Sequence, residues 1–152
     1  MDVQSLSGLA DHIELSVPAR ADLLHLVRFH VGAAAAHADM RLEAVEDLQL
    51  AVDELCLSLL SQLAGQESRL AVSIAWTSST VEVVCTVDVG ALAAVVNRNG
   101  KHRAGSASRP ALPAELSARV LDALVDEHGT FSNPGCLGAW LRKRHIMTGL
   151  HT

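Results

Sequence analysis

The stretch Leu42-Glu43-Ala44-Val45-Glu46-Asp47-Leu48-Gln49-Leu50-Ala51-Val52-Asp53-Glu54-Leu55-Cys56-Leu57-Ser58-Leu59-Leu60-Ser61-Gln62-Leu63 decides the fold. Leu42, Val45, Leu48, Val52, Leu55, Leu59 and Leu63 recur every three or four residues, the spacing of one helix face. A long helix is therefore predicted over 42–63, ending near Gly65. At about 100° per residue, Asp47, Ala51, Glu54 and Ser58 line up as one stripe opposite the apolar face. Two readings of that stripe stay open. It is the wet side of an amphipathic helix, or a ridge where small Ala51 between two carboxylates lets a ligand approach the backbone.

Upstream, Ile13-Glu14-Leu15-Ser16-Val17 alternates as a strand and stops at Pro18. A helix is predicted from Ala19 to Ala38, with Leu24, Val27, Val31 and Ala34 on one face. Downstream, Leu70 to Ala75 and Val81 to Val87 read as a hairpin turning at Thr77 to Thr80. A third helix is predicted from Ala114 to Glu127 and a last strand over Leu137 to Leu141, with the least marked strand near Thr130. The order predicts an α+β two-layer sandwich, a mixed or antiparallel sheet covered on one face by three helices. Its core should hold Ile13, Leu15, Val27, Val45, Leu48, Val52, Leu55, Leu59, Val72, Ile74, Val83, Leu121 and Leu124.

A chain of 152 residues fits one domain. Hydrophobic residues at 49% exclude wholesale disorder. The longest apolar run, Val31 to Ala36, falls far short of the ~18–20 residues that cross a bilayer. Met1-Asp2-Val3-Gln4 lacks the positive region of a signal peptide, so a cytoplasmic protein without membrane contact is expected. Net charge is −5 and aromatics are 3%, which argue against a nucleic-acid platform. Cys56, Cys85 and Cys136 are odd in number and widely spaced, which excludes a disulfide framework. Cys56, beside the apolar face, reads as an inert packed thiol.

Eight histidines form no HxH, HExxH or Cys/His pair at ligand spacing, so a metal centre is not expected. No GxSxG elbow is present for nucleophilic hydrolysis. From Ala91 to Ala114 there is no acid, while Arg98, Lys101, His102, Arg103 and Arg109 are basic or titratable. With Gly100, Gly105, Pro110 and Pro113 this stretch reads as a long loop, either a functional lid or a solvated excursion. The closing run Arg142-Lys143-Arg144-His145 reads as a solvated strand end, with contact to an acidic partner as the alternative. The strand over Val81 to Val87 runs into Asp88-Val89-Gly90, a carboxylate that can accept from a ligand amine beside a residue permitting close approach.

With Glu46-Asp47-Leu48-Gln49-Leu50-Ala51-Val52-Asp53-Glu54-Leu55-Cys56 at its strongest, the chain resembles the RsbW/SpoIIAB-type anti-sigma factors over about residues 13–146. These are small serine kinases of the GHKL ATPase superfamily, with the Bergerat fold. The resemblance implies a domain over 13–146, an N-terminal extension over 1–12 and a tail over 147–152. It places Glu54 at the family's catalytic base, Asp88 with Gly90 at the adenine site, and Arg28 at a first-helix arginine that contacts protein partners. It implies ATP and magnesium as cofactors, and as partners an alternative sigma factor, an anti-anti-sigma (STAS) protein and a second copy of the chain.

Four nucleotide elements depart from the family pattern. Ser58 stands where a magnesium-binding asparagine is expected, and Leu92 replaces the second glycine of the DxGxG box. Ala114-Glu115-Leu116-Ser117-Ala118 lacks the glycines that open the third helix around phosphate, and Glu115 adds negative charge there. Cys136-Leu137-Gly138 lacks the final-strand threonines. Three readings follow. The chain is an anti-sigma factor with weak or lost ATP chemistry, an active serine kinase with Glu54 as base, or a repurposed Bergerat-fold adaptor.

Overall fold

The computed structural model describes residues 11–89 and 112–145. The basic stretch 98–109, Gly90, Leu92 and the two terminal segments outside 11–145 fall beyond the described residues.

Strand β1 (Asp11–Pro18) leads through a short 3-10 turn into α1 (Leu24–His37), followed by α2 (Leu42–Ser61). The hairpin β2 (Arg69–Trp76) and β3 (Thr80–Asp88) comes next, then α3 (Ala114–Leu124), β4 (Glu127–Asn133) and β5 (Cys136–Arg144). The sheet order is β1-β2-β3-β5-β4, and every neighbouring pair is antiparallel. The result is the expected α+β sandwich, with an entirely antiparallel sheet.

Alternation builds the interface between layers. Val72 and Ile74 on β2, Val81, Val83, Cys85 and Val87 on β3, and Leu141 on β5 point at the helices and are buried. From the helices come Val27, Val31, Leu48, Val52, Leu55, Leu59 and Leu121. Ile13, Leu15, Val45 and Leu124 of the expected core are only partly buried and pack at its margin.

The α1–α2 connection is closed by backbone geometry. Asp39 takes a left-handed φ of 58°, its N–H bonds Ala36, and the Met40 N–H bonds Ala35. That pattern satisfies the last carbonyls of α1 and reverses the chain within a few residues. The β4–β5 hairpin turns at Pro134-Gly135, where Gly135 has φ of 76°. Proline presets the first turn position and glycine accepts the second.

Three expectations are corrected. The third helix stops at Leu124, because Val125 is already extended, and Glu127 opens β4 instead. The stripe on α2 is not a wet face: Ala51 and Glu54 are buried, and Asp47 lies 3.7 Å from Lys143 Nζ. Flanked by α1 and α3 and backed by the sheet, α2 has little solvent side in its second half. The terminal basic run is not simply solvated. Arg142 donates to Glu82 and Glu127, and Lys143 donates to the Leu124 carbonyl across 2.6 Å, capping α3.

Candidate functional site

The residues singled out by the sequence fall in three groups, on α2, at the end of β3 and on α1. The first is Glu54 with Ser58. Helix geometry puts them one turn apart, with Ala51 a turn behind. Glu54 is 6% exposed, and its Oε1 has no hydrogen-bond partner among the described residues. A buried carboxylate oxygen without a donor is costly, and such an atom marks a place where a ligand or metal can be received. Ser58 is half-buried, and its carbonyl accepts from the Ser61 hydroxyl and the Gln62 amide.

The second group closes β3. Asp88 is exposed at the strand end, on the same parity as Thr86 and Val84 and opposite Cys136 of β5. Its carbonyl accepts from the Ser68 hydroxyl at 2.8 Å. Burial, and then the neighbouring Asp88 charge, raise the Cys136 thiol above the ordinary cysteine range. No hydrogen bond among the described residues joins Asp88 to Glu54. The elements that carry them meet at Cys56 and Cys85, whose Sγ atoms lie 3.7 Å apart in the core. Both thiols are buried, and Cys56 is pushed well up by its bond to Cys85 and by desolvation, as expected of an inert packed thiol.

The third group was only half legible. Arg28 lies on α1 as expected, but its Nη1 donates to Asp53 Oδ2 across 2.6 Å. The Arg28 side chain is 44% exposed, while Asp53 is buried and its Oδ1 is unpartnered among the described residues. Arg28 and Asp53 share a cleft of about 280 Å³ with Ala21, Asp22, Leu24, His25 and Leu57. On the same helix Leu26 is partly exposed and Phe29 is 70% exposed, an apolar pair one turn apart. Asp53 was not singled out, since it reads as an ordinary helix acid; its pairing with a residue 25 positions away has no local sequence signal.

The donor set fits magnesium-ATP poorly. Glu54 supplies a buried carboxylate, but where the resemblance expects a metal-binding asparagine the chain has a single hydroxyl, that of Ser58, and Asp88 stands at an exposed strand end. At the start of α3, Pro113 precedes the helix without a side-chain cap, and Glu115 lies in the first turn, where phosphate would meet its charge. Among the described residues no three His, Cys, Asp or Glu side chains converge as metal ligands, and no helix is long and apolar enough to cross a membrane.

No family model matches the chain. Over 120 residues, 78% of its length, the chain is 34% identical to the anti-sigma-F factor RsbW of Mycobacterium tuberculosis, in both strain CDC 1551 / Oshkosh and strain H37Rv. The match covers 61% of those relatives' length.

Proposed function

We propose, from its similarity to the RsbW-type anti-sigma factors, that the chain belongs with them, sequesters an alternative sigma factor in the cytoplasm and is countered by an anti-anti-sigma (STAS) protein. The match to proteins named anti-sigma-F factor carries this reading. Helix α1 offers it side chains of suitable character: a half-exposed arginine at the α2 side and, on the outer face, exposed Leu26 and Phe29. Arginine and large apolar side chains together are the composition of binding hot spots. The arginine suits an acidic patch on the partner. A homodimer is part of the same reading.

ATP chemistry is weak or lost in this proposal, because the metal ligand and the phosphate cradle are degraded while the protein-contact surface persists. One observation favours the kinase reading instead. Glu54 is kept, buried, with an oxygen that nothing described engages. When bound, magnesium-ATP would supply the phosphoryl donor, and Glu54 would accept the proton of a partner serine hydroxyl.

The test is capture. Each alternative sigma factor of the source organism, affinity-tagged, is co-expressed with this chain and purified, and each complex is assayed for inhibition of sigma-dependent transcription. One factor should be retained stoichiometrically and silenced, and a STAS protein should release it. A panel in which none is retained overturns the proposal.

A further inference from the structure

The Arg28–Asp53 pair joins the middle of α1 to the middle of α2, and its two halves are unlike. The carboxylate is buried, and among the described residues its only hydrogen-bond donor is Arg28 Nη1. The arginine side chain is half-exposed, and among the described residues its guanidinium makes no hydrogen bond besides the one to Asp53. Asp22, the other carboxylate of the cleft, does not compete for it. Arg20 holds Asp22 through two contacts of 3.1 Å, and the same bond keeps that carboxyl below its usual range.

A buried carboxylate with a single counter-group cannot release that group without being left uncompensated. A partner acid arriving at Arg28 therefore adds to the guanidinium rather than replacing Asp53. Nη1 stays on Asp53, and the outward donors meet the newcomer. An arginine tethered in this way has lost part of its rotamer freedom before binding, so less is lost on association.

We propose that Asp53 is a positioning residue for partner recognition, fixing Arg28 at the mouth of the cleft so that its free donors receive one carboxylate side chain of the partner. The proposal rests on the sigma-factor reading above, and deepens it by naming the group received and the residue that prepares the site. The cleft, at about 280 Å³, has room for a side chain of that size.

The experiment uses the sigma factor retained by the wild-type chain and measures its affinity for Arg28→Ala, Asp53→Asn and the double variant, with thermal melting of each. Asp53→Asn keeps the shape of the side chain but removes its charge. It should fold and bind roughly tenfold more weakly, the cost of one re-mobilised long side chain. The double variant should bind no worse than Arg28→Ala alone, because Asp53 acts only through Arg28. Wild-type affinity in Asp53→Asn, or losses that add in the double variant, overturns the positioning role while leaving the sigma-factor reading intact. Should Asp53→Asn fail to fold, Asp53→Glu takes its place, keeping the charge while moving the tether by one methylene and leaving Arg28 itself unchanged. Weakened binding with intact melting then supports the proposal, and unchanged binding overturns it. If the wild-type chain retains no sigma factor, the functional reading fails, and the positioning role falls with it.

Discussion

Cys136 offers a reporter beside Asp88. The two residues face each other across β3 and β5, and both burial and the aspartate charge raise the thiol. Only the thiolate is alkylated, so the raised Cys136 should react more slowly than free cysteine at pH 8. In Asp88→Asn one of the two raising influences is gone. The thiolate fraction at fixed pH should rise, and the alkylation profile should move toward lower pH. Cys56 and Cys85 are buried and should stay silent in the native protein. Peptide mass spectrometry after timed iodoacetamide treatment across pH 7–10 reads this for Cys136 alone. A profile indifferent to Asp88→Asn would mean that the charge does not reach the sulfur, and that the β3 end does not hold the two side chains together. At this scale the sequence was least explicit. Arg28 stood out, but its tie to Asp53 is long-range, and so are the burial of Glu54 and the capping of α3 by Lys143.

Elements were legible where hydrophobic periodicity was strong. The apolar repeat over 42–63 placed α2 to within two residues, and alternation placed the β2–β3 hairpin. The misses have physical causes. Glu127-His128-Gly129-Thr130-Phe131-Ser132-Asn133 forms an edge strand with no fully buried residue, so no alternation marks it, and the helix before it was extended through its start. Two glycines in the β4–β5 pair are structural. Gly129 lies beneath the Trp140 indole, and Gly138 lies beneath the Phe131 ring, where a Cβ would collide with the ring carbons. Gly138→Ala must therefore push Phe131 off the sheet or bend the β4–β5 pair. A loss of about 1–3 kcal/mol is expected from such overpacking, read as a lower urea midpoint. Replacing Phe131 by leucine in the same chain should recover part of it. A variant as stable as the parent would show that the ring moves aside freely.

For the whole molecule, the question is whether the sandwich supports the nucleotide chemistry that the family resemblance implies. The determinants of a scaffold are spread over dozens of apolar positions, and losing one costs little of the pattern. A phosphoryl-transfer site is different, since it needs a positioned metal and a preorganised cradle together, and each loss weakens the others. Here Glu54 is buried, but Ser58 offers one short hydroxyl where the resemblance expects a metal ligand, and Glu115 sets negative charge in the first turn of α3. We predict that calorimetry with magnesium-ATP gives no micromolar binding, and that radiolabel transfer to a cognate STAS protein is slow or absent. Sigma-factor capture should persist without nucleotide. Ser58→Asn should move the molecule the other way, strengthening magnesium-dependent binding, and pairing it with Glu115→Gln should strengthen it further by removing the opposing charge. Micromolar affinity in the unaltered chain, with transfer abolished by Glu54→Gln, would promote the kinase reading over the binding one. In that case the basic stretch 98–109 becomes the first place to look for compensating contacts to phosphate, because Arg98, Lys101, Arg103 and Arg109 carry the positive charge that the helix start lacks.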